Sequence, residues 1–310
     1  MRLHRDIEGP LLAARGSVVA IGAFDGIHRG HRALLAQVRQ RATALGLAAA
    51  AVSFEPLPRQ FFARAPLLRL TPMSERLRQL APLGLDHLLC LRFAESLAQT
   101  SAQDFIDRVL RARLAAREVW VGPGFRFGHG REGSFATLEA AGAAAGFVAR
   151  ELAPVVHAHE RVSSSLIREA LIAGDFDRAE SWLGRRYRYT GRVVRGQQLG
   201  RKLGFPTANL RWPQNSQGMS GIYAVRVDGA GLKAHPGVAS LGYRPTVGGK
   251  ELLLEVHLFH FDGEIYGQRL SVDFVAKQRD EWHFPDLDSL VTQIRRDADE
   301  ARALLGVARA

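Results

Sequence analysis

The sequence predicts an α/β domain built on a parallel sheet, followed by an antiparallel β domain with one long closing helix. Over residues 1–183, apolar strand candidates alternate with helical patterns, the arrangement that buries a parallel sheet between helices. From about residue 184, strand candidates follow one another directly, separated by Gly, Pro and Asp-Gly turns such as Asp262-Gly263. The chain then ends on an apolar stripe of Leu287, Leu290, Ile294, Ala301 and Leu305 at helical spacing.

In the first half, strands are expected at Ser17–Phe24, Ala48–Phe54, His87–Arg92, Glu118–Val121 and Phe147–Glu151. Helices are expected between them, around Arg29–Leu45, Ser74–Leu83, Ser101–Ala115 and Ser134–Ala145. The second half offers Tyr187–Val194, Ile222–Val227, His235–Ser240, Leu252–Phe261 and Arg269–Val275, which suit an antiparallel barrel or sandwich. The boundary falls near 183–187, giving domains 1–183 and 184–310.

Bulk properties narrow the function. With 46% hydrophobic and 24% charged residues, the chain is globular. The net charge of +11 divides as +5 over 1–183 and +6 over 184–310, without a basic tail or block. Such dispersed charge suits anionic nucleotides and argues against a dedicated nucleic-acid interface. Cys90 is the only cysteine, so an intrachain disulfide is impossible and structural zinc is not expected. No signal core or membrane-length apolar run is present, which predicts a cytoplasmic protein without a membrane partner.

The most informative stretch is Gly22-Ala23-Phe24-Asp25-Gly26-Ile27-His28-Arg29-Gly30-His31. It joins an apolar strand to a helix, where first-turn N–H groups and the helix dipole favour a phosphate. Gly22 and Gly30 allow close backbone approach, and His28 and His31, three apart, can face one ligand. A second element, Arg161-Val162-Ser163-Ser164-Ser165, precedes the helical run containing Arg168 and reads as an N-cap. In the second half, Gly200-Arg201-Lys202-Leu203-Gly204-Phe205-Pro206-Thr207-Ala208-Asn209 combines a Gly-framed loop with a rigid proline. Thr207 and Asn209 offer hard oxygen atoms that suit a magnesium ion shared with ATP phosphates. In Leu252–Leu258, period-two alternation puts Leu254, Val256 and Leu258 on one face and Glu255 with His257 on the other. A carboxylate so fixed can accept the proton of an attacking hydroxyl.

These segments resemble, in the same order and over nearly the whole chain, the bifunctional riboflavin kinase/FMN adenylyltransferase (FAD synthetase) family. The first is similar to the HxGH motif of adenylyltransferases, and the segment ending Pro206-Thr207-Ala208-Asn209 resembles the riboflavin kinase signature. The resemblance implies a Rossmann-like nucleotidyltransferase domain, then a β-barrel kinase domain with a terminal helix. It implies ATP contacts at Gly22, Phe24, Gly30, Arg161, Ser164, Ser165, Arg168, Gly200, Lys202 and Gly204. It further implies catalytic groups at His28 and His31 and a base at Glu255, with Thr207 and Asn209 around Mg2+. Riboflavin, FMN and ATP are the expected partners, and Gly221-Ile222-Tyr223, Gly242-Tyr243-Arg244-Pro245-Thr246, Arg279 and Trp282 are expected around the flavin pocket. Three positions depart from the family pattern: Ala23 replaces the usual Asn, Leu57 a His, and Gly124 an Asp or Asn. They keep open a riboflavin kinase whose first domain has another acceptor. A reading from a different class is a basic nucleotide- or RNA-binding protein.

Overall fold

A computed structural model describes residues 1–196, 199–213, 216–246 and 249–308. The chain divides into two compact units, one of residues 1–65 and 71–164, the other of 66–70 and 165–310.

In the first unit, β1 (Arg2–His4), β2 (Ser17–Ile21) and α1 (Arg29–Leu45) are followed by β3 (Ala48–Glu55), α2 (Pro58–Phe61) and α3 (Met73–Leu80). Then come β4 (His87–Arg92), α4 (Glu95–Ala98), α5 (Ala102–Phe105), β5 (Ala116–Val121), α6 (Phe135–Ala145) and β6 (Val148–Glu151), with a hairpin of β7 (Val156–His157) and β8 (Glu160–Arg161) at the end. The six long-sheet strands lie in the order β1-β4-β3-β2-β5-β6, all parallel. Strand β2 is buried on both faces, which is why it reads as an unbroken apolar run. Val18 and Ala20 pack with Leu34, Leu35 and Val38 of α1, whereas Val19 and Ile21 pack with Phe105, Val109 and Leu138. The chain leaves β2 toward β3 on one side and β5 takes the other side. The crevice beyond the carboxyl end of β2 is therefore the topological switch point, the place where such sheets bind ligands.

Several local outcomes differ from the sequence pattern, among them the edge strand β1, which it did not predict. The strand expected to reach Phe24 ends at Ile21, and the Gly22 N–H makes one last bond to the Val52 carbonyl of β3 at 3.1 Å. The helix expected over Ser101–Ala115 is α5 followed by a π-helical stretch, Ile106–Arg113, whose buried Arg113 donates to the carbonyls of Pro10 and Asp6.

The second unit begins along α7 (Ser164–Ala173) and α8 (Phe176–Leu183). It continues through β9 (Arg188–Val194), α9 (Leu199–Lys202), β10 (Ala208–Arg211), β11 (Gly221–Gly229), β12 (Leu232–Thr246), β13 (Gly249–Leu258), β14 (Arg269–Arg279) and α10 (Leu287–Leu305). Of the two β architectures left open by the sequence, the chain forms a closed antiparallel barrel, β10-β13-β12-β11-β14-β9. The sequence pattern missed β10; it closes the barrel by pairing with both β9 and β13. Tyr223, Leu254, Val256 and Phe274 are fully buried, and Phe176 of α8 stacks on Phe274 with ring centroids 5.8 Å apart and planes at 6°. Residues 66–70 belong here as well: Arg168 Nε donates to the Leu68 carbonyl at 2.6 Å, and the Arg69 N–H donates to Ser216 Oγ at 2.8 Å.

Helix α10 covers the outer barrel wall, with Ala298, Ala301 and Leu305 on Ile222, Ala224, Val238 and Phe259. Asp286 caps it by accepting from the Ser289 N–H at 2.7 Å, and Gly306 ends it in a left-handed conformation. The helix is joined to β14 by an ion pair in which Arg279 Nε and Nη2 meet the two Asp297 oxygens at 2.9 and 2.5 Å. Both side chains are largely buried, so removing one charge strands the other. Asp297→Asn is expected to destabilise this unit by about 3–5 kcal/mol. Denaturant unfolding should show the loss little changed between low and high salt, because a largely buried pair is screened weakly.

Candidate active sites

In the first unit the site is built on the turn after β2. His28 sits at the N-cap of α1, and its Nδ1 accepts the His31 N–H at 3.3 Å. Because an N–H can only donate, Nδ1 carries the lone pair and the neutral His28 ring donates through Nε2. The two imidazoles stack, with centroids 3.7 Å apart and planes at 16°, and Phe24 meets His31 edge-on at 5.3 Å. A methyl group on Gly22 would lie 3.0 Å from the Phe24 ring, and one on Gly30 would lie 3.1 Å from the His28 ring. The two glycines thus admit the rings that frame the turn. Burial holds the His31 imidazole well below its ordinary pKa, with the neighbouring His28 adding to the effect.

The turn is strained and braced. Phe24 and the β-branched Ile27 have φ of 49° and 43°, costly values for side chains that are fully buried. Thr71 clasps the turn: its N–H donates to Asp25 Oδ1 at 2.9 Å, and its Oγ1 accepts the Gly26 N–H at 2.9 Å. Buried Arg76 donates to the carbonyls of Ala23 at 2.9 Å and Phe54 at 3.0 Å, and to the Glu55 carboxylate at 2.7 Å. Ser164 Oγ donates to the Asp25 carbonyl at 2.9 Å. Sequence reasoning missed Thr71 and Arg76; only the distant placement of the buried threonine and guanidinium beside the Gly-framed turn reveals them.

Arg161, on β8, donates through Nη2 to the Pro123 carbonyl at 3.1 Å, joining the hairpin to the 122–124 loop. Ser165 and Arg168 fall in the second unit, where Arg168 is buried and bonded to Leu68. The three departures from the family pattern have local explanations. Ala23 serves the turn through its carbonyl, and Leu57 is buried at the start of α2. Gly124 has φ of 73°, a left-handed conformation shared by Gly, Asn and Asp.

In the second unit the barrel register lines up one residue from each of six strands. Val194 pairs with Asn209, Asn209 with Glu255, Glu255 with Ser240, Ser240 with Ile222, and Ile222 with Arg279. Residues directly opposite one another in antiparallel strands share a face. All six line a single cavity of about 780 Å³ on the outer barrel wall, bounded by α10 through Leu287, Leu290 and Ile294. Glu255 therefore stands between Asn209 and Ser240, while its sequence neighbours Leu254 and Val256 fill the barrel interior.

Thr207, Gly200 and Phe205 line the polar end of the same cavity. The α9 turn closes with Phe205 N–H donating to the Gly200 carbonyl at 2.7 Å, and Gly204 follows at φ 84°. A methyl group would come within 2.4 Å of the Phe205 carbonyl at Gly200 and 2.5 Å of Asn209 Nδ2 at Gly196, so both glycines permit close packing. Lys202 lies in this turn; its side chain, like those of Arg244, Pro245 and Thr246, falls outside the described residues. Asn209 is 5% exposed, and among the described residues its buried Oδ1 has no hydrogen-bond partner. With Thr207 beside it, that orphaned oxygen fits a hard cation such as magnesium. At the apolar end, Arg279 lies 4.7 Å under the half-exposed Trp282 ring, a cation–π contact. Tyr223, one of the family landmarks, is fully buried in the barrel interior, its hydroxyl bonded to the Ser220 carbonyl at 2.7 Å.

Comparison with known proteins follows these two sites. Residues 12–166 match the FAD synthetase family and residues 183–305 the riboflavin kinase family. The chain is 43% identical over 305 residues to the bifunctional riboflavin kinase/FMN adenylyltransferase of Pseudomonas fluorescens, covering 98% of each chain. This chain belongs to that family. The Escherichia coli (strain K12) relative of the same name is 42% identical over 310 residues, with 99% of each chain covered. The crystal structure of a protein described as a macrolide-efflux protein from Streptococcus pneumoniae aligns at a TM-score of 0.78 and 28% identity, covering 93% of this chain and 95% of that one. Among the described residues, no helix is long and apolar enough to cross a membrane.

The His31 environment sets a pH dependence. A folded-state pKa held below the ordinary 6.5 means that the unfolded chain binds the proton first as pH falls. The stabilising contribution is complete above 6.5 and is lost as pH drops below it toward the folded value. Imidazole nitrogen resonances should show His31 still neutral at pH 6.5, where an unperturbed histidine is half protonated. Unfolding free energy should fall on acidification below that point, less steeply in His31→Gln.

Proposed function

We propose that the chain carries out two ATP-dependent reactions. In the barrel unit the terminal ribityl hydroxyl of riboflavin attacks the γ-phosphorus of ATP, giving FMN and ADP. In the α/β unit a phosphate oxygen of FMN attacks the α-phosphorus of a second ATP, giving FAD and pyrophosphate. The observation that carries the reading is the cross-strand row that sets Glu255 between Asn209 and Ser240 on one cavity wall.

Glu255 takes the proton of the attacking hydroxyl while the γ-phosphoryl group moves to that oxygen and ADP departs. The α9 turn, with Gly200, Lys202 and Gly204, folds over the phosphates. Thr207 and Asn209 would hold a magnesium ion, which when bound supplies positive charge to the phosphate oxygens. The apolar end, with Leu287, Leu290, Ile294 and Trp282, suits the flat isoalloxazine ring.

In the α/β unit, the start of α1 and the Nε2–H of His28 donate to phosphate oxygens as pyrophosphate leaves. Neutral His31 stacks on the His28 ring and holds it in place. Arg161, on the β8 hairpin, adds guanidinium donors, while Ser164 braces the turn through its bond to the Asp25 carbonyl. Ala23, Leu57 and Gly124 leave this phosphate machinery whole.

Purified protein given riboflavin, ATP and magnesium should form FMN and then FAD by chromatography. FMN without FAD would remove the adenylyl-transfer half of the reading, and neither product would remove both. Glu255→Ala should abolish FMN formation while FAD still forms from supplied FMN; loss of both in a folded protein would contradict separate sites. His28→Asn preserves the helix cap, because Asn is a preferred N-cap residue. It should nevertheless slow FAD formation by about 10²–10³-fold, the effect of removing one donor from a charged transition state.

A further inference from the structure

The β10–β13 ladder ends at the Ala208–Val256 pair. It cannot continue through Pro206, which has no N–H to offer. At that point a side chain takes over: His257 Nδ1 lies 2.9 Å from the Pro206 carbonyl oxygen. A carbonyl oxygen only accepts, so Nδ1 carries the hydrogen and the tautomer is fixed. The ring is itself held, with Phe205 edge-on at 5.5 Å on one side and Phe259 edge-on at 5.9 Å on the other. His257 lines the same cavity as Glu255, two residues away on the same face of β13.

We propose that His257 is a positioning residue: its Nδ1–H fixes the Pro206 carbonyl and thereby orients Thr207 toward the phosphate and cation end of the barrel cavity. The inference rests on the kinase reading of this unit. The Pro206 carbonyl shares a rigid peptide plane with the Thr207 N–H, so holding one sets the other. Thr207 is then registered to β13 by His257, as Asn209 is by its pairing with Glu255. One strand thus places the base and both oxygen ligands. Through this bond His257 orients Thr207, much as groups behind metal ligands do when they fix ligand geometry.

The test compares His257→Leu, which fills the space without a donor, with His257→Asn, whose side-chain amide sets an N–H near the Nδ1 position. Calorimetric titration of the full-length protein with ADP, with and without magnesium, reads the effect directly. The magnesium-dependent gain in ADP affinity should fall about tenfold in His257→Leu, the lower range seen when a group orienting a metal ligand is removed. His257→Asn should recover most of it. In FMN formation, His257→Leu should raise KM for ATP more than it lowers kcat, while conversion of supplied FMN to FAD stays at the wild-type rate.

Wild-type magnesium-dependent affinity in His257→Leu, or failure of His257→Asn to recover any of the loss in a folded protein, would overturn the proposal. A wild-type protein that gains no ADP affinity from magnesium would overturn it as well. A wild-type protein that makes no FMN would instead overturn the kinase reading, and the titrations would still decide whether His257 orients the nucleotide site.

Discussion

The kinase half of this protein depends on strand register. Its site is a row of six opposite positions, one per strand, kept in line by the barrel's hydrogen-bond register. Side chains alternate along a strand, so a slip of one residue would send Glu255 into the barrel interior and bring Leu254 or Val256 to the cavity. The interior opposes such a slip, because Leu254, Val256 and Tyr223 are fully buried there and would have to be exposed. An irregularity between β11 and β14 sets the last position of the row. Tyr223 pairs with Lys277 but Ile222 with Arg279, a one-residue shift that brings Arg279 into the row. The Arg279–Asp297 pair then fastens α10 over the apolar end.

The α/β half uses strain where the barrel uses register. The turn beyond β2 places two large apolar residues at positive φ and still presents stacked histidines at the start of a helix. Such a conformation persists only when its surroundings over-determine it. Thr71 holds Asp25 and Gly26, Arg76 holds Ala23 to the end of β3, and Ser164 holds the Asp25 carbonyl. The turn proposed to face the phosphates is therefore preorganised by braces outside it, which would leave little reorganisation for the reaction step.

How far the sequence discloses this differs by element. Helix α1 and strand β4 match their expected spans because a long apolar stripe and a continuous apolar run are strong local signals. Strand β10 escaped because Ala208–Arg211 is only four residues long and follows a glycine- and proline-rich loop. Its strand character comes from two neighbours distant in sequence, which also decide between a barrel and a sandwich. Glu255, His28, Thr207 and Asn209 stand out as candidates in the sequence because motif spacing and alternation are local. The partnership of Asn209 with Glu255, the brace of Thr71 and Arg76, and the bond from His257 to Pro206 are products of tertiary register that no local pattern encodes. Tyr223 shows the reverse case: a family landmark whose burial in the barrel follows from strand alternation.

The five residues 66–70 give the chain an interleaved order of assembly. They leave the ribosome well before their partners: the bond from Arg168 to Leu68 spans 100 positions, and that from Arg69 to Ser216 spans 147. A ribosome making this protein therefore extrudes a piece of the barrel unit while the α/β unit is still incomplete. That piece stays without its native partners until α7 and then Ser216 emerge. Vectorial synthesis cannot finish the two halves one after the other as independent beads. Gene division at residue 184 would also separate the barrel from Phe176 and from the Arg69 amide that its own unit uses.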